Sequence, residues 1–443
     1  MKYLPRIDPV IYDLIKKEEQ RQSETLMMIP SENIASKAVE EAVGSVLGNK
    51  YAEGYPGKRY YQGQEFVDQV ESIAIDRAKQ LFGVAAVNVQ PHSGSPANFA
   101  VFTAVMKPGE TLMGLSLSSG GHLTHGANLN ASSLYFNSVP YEVGKDGYLD
   151  YDAIRAQAKK VQPKVIIAGT TAYPRFLKWE IFAEIADEVG AYLLADVSHI
   201  SGLIAAGVYP SPVPHAHIVT TTTHKTLRGP RGAMIMTTEK GLAKDADLPK
   251  KINSAIIPGI QGGPHMNAIA GIATALKEAA SPAYTEYAKQ VMTNAAALAT
   301  ELSTHGFDLV TGGTDSHLIL VDLRNKEVLG NTVAEALEHA NIVLNRNGVP
   351  FDPNPPFYPS GIRMGTPGIT SRKMKEDQMK TIAAVINDVV TALVATKKQK
   401  GYTLEDEKKR SVRKELIDAT PAIATAQKTI LALCKEFPIQ LEY

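Results

Sequence analysis

The 443-residue chain has a single cysteine, Cys434. It can therefore form no intrachain disulfide, and a zinc site built on several thiolates is excluded. Within TILALCKEF that cysteine reads as a small apolar residue of a terminal helix. Net charge is lacking too, since 46 Lys+Arg stand against 46 Asp+Glu. Neutrality argues against nucleic-acid binding through bulk positive charge, and 44% hydrophobic content argues against a solvating disordered chain. Gly and Pro, at 34 and 26 residues, are too few for a low-complexity protein. No run approaches the ~18 apolar residues of a membrane span. The start, MKYLPRIDPV, lacks the apolar centre of a secretory signal. A cytoplasmic chain with no membrane or nucleic-acid partner is the expectation.

What is present is an alternation. VNV (87–89), TLMGL (111–115), KVIIAG (164–169), AYLLAD (191–196), HIVTTTT (217–223) and AMIMTT (233–238) read as buried strands. Helical patterns at 66–82, 96–106, 150–160 and 179–189 lie before and between them. Near-continuous apolar strands separated by helices predict an α/β fold with a mostly parallel sheet. Such sheets bind ligands beyond the carboxyl ends of their strands. Asp8-Pro9 reads as the start of an amphipathic arm helix carrying Val10, Ile11, Leu14 and Ile15. Beyond about Ala280, a long helix at 283–305, strands at 316–323 and 342–345 and a helix at 331–340 predict a smaller α+β domain. The expected organisation is an arm at 1–52, a large domain at 53–280 and a small C-terminal domain at 281–443. The segment 397–415 carries eight basic and four acidic residues and reads as a solvated linker or exposed helix.

Three strand-end features carry chemistry. In HSGSPANFAV (92–101), Ser95-Pro96 reads as the start of a helix. Gly94 there permits close backbone approach, and the exposed N–H groups make an anion site. Asp196 ends an apolar strand, where an ionised carboxylate requires a positive partner. His199 follows three residues later. In TTTTHKTLRGPRG (220–232), Lys225 stands beside His224, whose ring, if positive, would depress the lysine pKa and favour imine formation. A phosphate cradle, a strand-end acid and a strand-end lysine together match the needs of pyridoxal phosphate. The histidine pairs HLTH (122–125) and HAH (215–217) have no carboxylate or thiol set beside them, so no metal site is expected. His122 reads instead as a flat ring that stacks on the cofactor.

Five stretches, SENIASKAVEEAVGSVLGNKYAEGYPGKRYYQG (31–63), NVQPHSGS (88–95), GGHLTHG (120–126), AAGVYPSPVPHAHIVTTTTHKTLRGPRG (205–232) and SGIRMGTPGITSR (360–372), closely resemble the serine hydroxymethyltransferase family. The resemblance runs from about residue 5 to about 395. It implies a fold-type I pyridoxal-phosphate enzyme that moves a one-carbon unit from serine to tetrahydrofolate. Glycine and 5,10-methylenetetrahydrofolate are the implied products.

By that resemblance Lys225 is the imine-forming lysine, Asp196 pairs the pyridine nitrogen, and His122 stacks on the ring. His199 and Thr171 hold the ring's hydroxyl side, and Gly94 and Ser95 bind the phosphate. Tyr51 and Gly263 join the phosphate from a neighbouring subunit. Arg363 grips the substrate carboxylate with Ser31 beside it, and Glu53 handles the proton of the serine hydroxyl or of folate. Tyr61 lines the substrate pocket, and His224 belongs to the catalytic set beside Lys225. Tyr60, Leu117, Gly121, Leu123 and Asn347 fall where the family holds the folate. The implied assembly is a homodimer with shared active sites, with a tetramer left open.

The same apparatus also suits a folate-independent 3-hydroxy amino acid aldolase or an α-methylserine hydroxymethyltransferase. A non-catalytic or RNA-binding chain using 397–415 is the reading from a different class. Several positions depart from the family's wording: Pro30, Pro96, Thr171, Pro174, the DVSH run at 196–199 in place of DMAH, and Ile260.

Overall fold

The predicted strands are short, and each is stopped by Gly, Pro or a polar cluster, so they can pair only side by side in one sheet. A computed structural model describes residues 2–439. Its large sheet has seven strands: β1 (Ala86–Asn88), β2 (Thr111–Met113), β3 (Asn137–Ser138), β4 (Val165–Gly169), β5 (Tyr192–Asp196), β6 (Ile218–Thr222) and β7 (Ala233–Thr237). Their spatial order is β1-β7-β6-β5-β4-β2-β3. Neighbours are parallel throughout the β3-to-β6 side, and β7 alone runs antiparallel to both β1 and β6. The sheet is therefore mixed, with one reversed strand. Every residue of β4, β5, β6 and β7 is buried, which is why these strands read as continuous apolar runs rather than as alternation. β3 is two polar residues and leaves no such signal.

Register aligns the strand ends. Gly169 pairs with Asp196, and Asp196 with Thr220, so β4, β5 and β6 finish close to one level. Helix α1 (Glu65–Phe82) buries Val67, Glu71, Ala74, Ala78 and Phe82 and stops at Gly83, whose φ of 68° a side chain would resist. Helix α2 (Gly94–Val105) begins earlier than Ser95-Pro96 predicts, with Ser93 as N-cap. Pro96 is then its third residue, still in the first turn, where a missing N–H costs no helical bond.

The chain divides into two units. One comprises residues 33–292 and 314–317 and contains the seven-stranded sheet. The other comprises residues 2–32, 293–313 and 318–439. Helix α3 (Pro282–Thr304) gives residues to both.

In the second unit four antiparallel strands, β8 (Asp308–Leu309), β9 (Leu318–Asp322), β10 (Asn345–Asn347) and β11 (Gly361–Gly365), lie in the order β8-β9-β11-β10. Helix α4 (Glu376–Lys400) is long and apolar enough to cross a membrane, yet Ile382, Ile386, Val389 and Leu393 are buried with Ile319 and Ile362 in this unit's core. It is a core helix. Arg372, buried, donates to the carbonyls of Gln22, Ser23, Thr25, Cys434 and Phe437. One cation thus satisfies the C-terminal ends of the helices Pro9–Ser23 and Ala422–Glu436. Asp8 caps the first of these, and Cys434 is buried in the second, both as predicted. The arm's Val10, Ile11 and Leu14 are exposed.

The segment 397–415 is exposed over most of its length, as its charge suggests, but it is anchored at four buried residues, Lys397, Glu407, Val412 and Arg413. It closes α4, turns, and forms α5 (Arg410–Asp418), which buries Val412, Leu416 and Ile417. Lys397 pairs with the fully buried Glu407, which also accepts from Leu329 N and Thr332 Oγ1. Arg413 reaches Glu335 at 2.8 Å. Seven of the eight basic residues meet a carboxylate, four within the segment and three outside it, at Glu327, Glu335 and Asp418.

His217, just before β6, is buried, and its Nδ1 accepts from Leu193 N at 2.9 Å. Burial, then Lys244 and Lys240, push its pKa from 6.5 to about 4. The neutral ring's contribution to stability is complete above the ordinary value and is lost as pH falls from there towards about 4. His217→Asn, which keeps an acceptor near the Nδ1 position but does not titrate, is expected to remove about 1 kcal/mol per pH unit of the stability loss in that window. Urea unfolding at pH 7 and pH 5 checks this.

Candidate active site

An apolar strand that ends in aspartate places a carboxylate where water is scarce, and its partners decide whether it stays ionised. Asp196 is 8% exposed. It accepts from Asn98 Nδ2 at 2.8 Å, Ser198 Oγ at 2.6 Å, Ser198 N at 3.1 Å and lies 3.1 Å from His125 Nε2. Burial alone would raise its pKa, but the His125 contact and the Ser198 hydroxyl outweigh it and hold the acid well below the carboxylate range. Among the described residues its partners are thus no lysine or arginine but a histidine together with neutral donors. Asn98 is held in turn by Thr220 Oγ1 at 2.7 Å and reaches Thr124 Oγ1 at 2.9 Å. Sequence reasoning missed Asn98 and His125. The available signal was an asparagine on the buried face of an otherwise apolar helix.

Lys225 follows β6 by three residues and is 8% exposed. Its backbone carbonyl accepts from Asn33 Nδ2 at 3.0 Å and Arg228 N at 3.1 Å, the latter in a left-handed conformation with φ 61°. Tyr284 Oη secures the next carbonyl, of Thr226, at 2.6 Å. His224 corrects the expectation of a positive ring beside the lysine. Burial, then Lys225 and Arg231, push its pKa to about 3, so the ring is neutral, and its buried Nδ1 has no partner.

The remaining cofactor candidates of this unit gather at the same strand ends. His199 is buried, its Nδ1 3.3 Å from His317 Nε2, with the two rings stacked. His122 Nδ1 lies 2.8 Å from Thr124 Oγ1, and burial pushes the ring's pKa to about 4. Thr171 Oγ1 donates to the carbonyls of Gly120 and Gly121 at 3.2 Å. A Cβ on Gly94 would stand 2.8 Å from Thr222 Cγ2, so only glycine lets α2 start this close to the end of β6. Ser95 is exposed in that first turn, whose N–H groups have no helical acceptor. A helix start aimed at an anion, an ionised buried acid and a secured lysine fit pyridoxal phosphate.

A second cluster forms on an exposed part of the same unit. Tyr51 and Tyr61 meet edge to face at 5.6 Å. A Cβ on Gly262 would lie 3.4 Å from Glu53 Oε1, and one on Gly263 would lie 3.5 Å from the Tyr51 ring. The Glu53 carboxylate raises the Tyr51 pKa. Tyr60, Leu117 and Leu123 are exposed, while Gly121 is buried. Ser31, Asn347 and Arg363 belong to the other unit. There Asn345 pairs with Arg363 and Asn347 with Gly361 across β10 and β11, and Arg363 Nε donates to Asn345 Oδ1 at 3.1 Å. Burial lowers the Arg363 pKa to about 10, which still leaves it a cation.

A family model described as serine hydroxymethyltransferase matches residues 4–386. The chain belongs to the serine hydroxymethyltransferase family. Similar proteins of that name come from Acidothermus cellulolyticus, 58% identical over 88% of this chain and 90% of the relative, and from Marinomonas sp., 53% identical over 98% and 96%. A third, from Desulfotalea psychrophila, is 54% identical over 88% and 90%. Membership gives the fold-type I class of pyridoxal-phosphate enzymes, and the seven-stranded mixed sheet is the α/β core of this serine hydroxymethyltransferase family member.

Two departures from the family wording acquire reasons. Thr171 keeps a hydroxyl that ties its loop to Gly120 and Gly121. Ser198, where the family has alanine, adds a donor to Asp196 and accepts from Thr222 N at 3.1 Å, linking the ends of β5 and β6. Ile260 is partly buried on the apolar cluster that includes Ala97 and Val101 of α2. Ser198→Ala is expected to destabilise the fold by about 1.5 kcal/mol, and Ser198→Thr by clearly less, because the lost bond is charge-assisted. Denaturant unfolding of the three proteins at pH 7 measures it.

Proposed function

We infer that this enzyme catalyses the reversible transfer of a one-carbon unit from L-serine to tetrahydrofolate, giving glycine and 5,10-methylenetetrahydrofolate. Family membership across residues 4–386 is the observation that carries the reading. The strand-end grouping of Asp196, Lys225 and Gly94 supports it chemically. Pyridoxal phosphate, when bound, supplies a ring that accepts the electrons of a bond broken at the amino acid's α-carbon.

The chain's own residues then have separable tasks. Asp196, ionised and buried, accepts a hydrogen bond from the ring nitrogen and favours its protonated form. The Lys225 amine would hold the cofactor covalently as an imine-forming group. The N–H groups that open α2, with Gly94 and Ser95, take the phosphate. His122 offers a flat neutral face, and His199 with Thr171 takes the ring's hydroxyl side. Arg363 presents a planar fork to the substrate carboxylate, with Ser31 as its companion. That grip orients the Cα–Cβ bond for cleavage. Glu53 receives the proton of the serine hydroxyl or carries one for folate, and Tyr61 lines the pocket. Tyr60, Leu117, Gly121, Leu123 and Asn347 bind the folate. His224, neutral, packs beside Lys225 without adding charge.

The cluster of exposed Tyr51 and Tyr61 with half-buried Glu53 and Gly263 supports a homodimer in which each copy lends Tyr51 and Gly263 to the other's phosphate site, and we assign that homodimer to the cytoplasm.

Lys225→Ala is expected to abolish the visible absorbance of the purified holoenzyme, and its unchanged persistence would overturn the lysine assignment. Arg363→Lys keeps the charge but loses the fork, so serine affinity is expected to fall at least about tenfold. Near-normal serine binding by titration would remove that role. Tetrahydrofolate added to the glycine-bound enzyme is expected to produce a new long-wavelength band. Its absence, with retained cleavage of 3-hydroxy amino acids, would favour a folate-independent aldolase.

A further inference from the structure

Helix α1 carries one charge where its pattern asks for an apolar residue. Val67, Glu71, Ala74, Ala78 and Phe82 form its buried stripe, and Glu71 is 1% exposed. Burial raises the Glu71 pKa, with Arg59 opposing. Arg59 Nη2 meets Glu71 Oε2 at 2.5 Å, and Nε meets Asp68 Oδ1 at 2.8 Å. Asp68 and Glu71 are three residues apart on the helix, so both reach the same guanidinium.

The rest of that guanidinium is turned to the backbone around Glu53. Nη1 donates to the carbonyl of Ala52 at 2.7 Å and to that of Gly54 at 2.8 Å. The carbonyl of Glu53 itself accepts from Tyr60 N at 3.1 Å. Gln90 Nε2 bridges Gly54 O at 2.9 Å and Glu71 Oε1 at 2.7 Å. Gly54 has φ 94°, and a Cβ there would lie within 2.4 Å of Lys58 O, so the turn admits no side chain at that position. Three successive carbonyls, 52 to 54, are thus held, two of them by one arginine. Glu53, whose own side chain is partly exposed, projects from the most firmly held part of the Gly54–Arg59 hairpin.

We propose that Arg59, anchored by Asp68 and Glu71, is a positioning residue that fixes the Glu53 backbone and so places its carboxylate for proton handling. The proposal rests on the reading of Glu53 given above. Lysine cannot replace it, because a single ammonium cannot span two carboxylates and two carbonyls. Removing the arginine alone leaves Glu71 buried and unpaired, which threatens folding. Arg59→Met with Glu71→Gln removes both charges and serves as the second variant.

The test uses the holoenzyme. Arg59→Met, or its Glu71→Gln pair, is expected to lower kcat for serine cleavage about 10- to 100-fold, as small misplacements of a catalytic group do. The KM for serine and the visible absorbance should stay within about twofold, and Arg59→Lys should recover only part of the loss. In a Glu53→Gln background the same change should cost less than about twofold further, because the two residues act as one unit. Hydrogen exchange of the 52–60 amides should rise while that of the large sheet does not. Independent, multiplying losses, unaltered exchange, or a loss of kcat matched by loss of cofactor would each overturn the positioning role. The parent reading fails separately, if wild-type enzyme makes no glycine from serine and tetrahydrofolate or if Glu53→Gln retains full kcat.

Discussion

A carboxylate buried at the end of an apolar strand needs donors on every side, and in this chain Asp196 has drawn them from three places, with a fourth residue in support. Asn98 comes from α2, Ser198 from the following loop, His125 from the turn after β2, and Thr220 of the neighbouring strand stands behind Asn98. Each tie positions something else. Asn98 fixes where α2 lies and therefore where Gly94 meets Thr222. Ser198 bonds to Thr222 N, three residues before Lys225. His125 shares its turn with His122. Satisfying one costly charge thus organises the start of α2, the loop that leads to Lys225 and the turn of His122 together.

The same constraint recurs wherever this chain buries charge. Arg372 gathers five carbonyls from two helix ends, Lys397 and Glu407 clamp α4 to the turn before α5, and Arg59 joins α1 to a hairpin. In each case the partners lie on different elements, and breaking one side alone leaves the other stranded.

How much of this was legible depended on whether a residue's meaning is local. Strands β4 to β7 and α1 were readable because burial on both faces, or on one stripe, writes itself into consecutive residues. Lys225 and Asp196 stood out because strand ends are where such sheets bind ligands. Asn98, His125 and Ser198 did not, since a polar residue in a helix or turn gains its role only from what folds against it. The start of α2 was misplaced because serine and proline suit several positions of a first turn equally. The exposed character of 397–415 was legible from its charge, but its anchoring was not, as counting charges along the chain cannot see Glu327 or Glu335 across from it. Glu53 and Arg363 were supplied by resemblance, for neither sits in a pattern that announces chemistry.

The neutral histidines refine what kind of site the strand ends make. With His122 pushed to about 4 and His224 to about 3, neither ring contributes positive charge near neutral pH. A phosphate bound at the start of α2, as proposed, would draw on backbone N–H groups and hydroxyls there. That arrangement has a chemical consequence. Neutral, directional donors would hold a phosphate at the start of α2, as proposed, without either of these histidines adding a cation. Asp196, kept ionised by its own network, remains the charge that the cofactor's ring nitrogen would face.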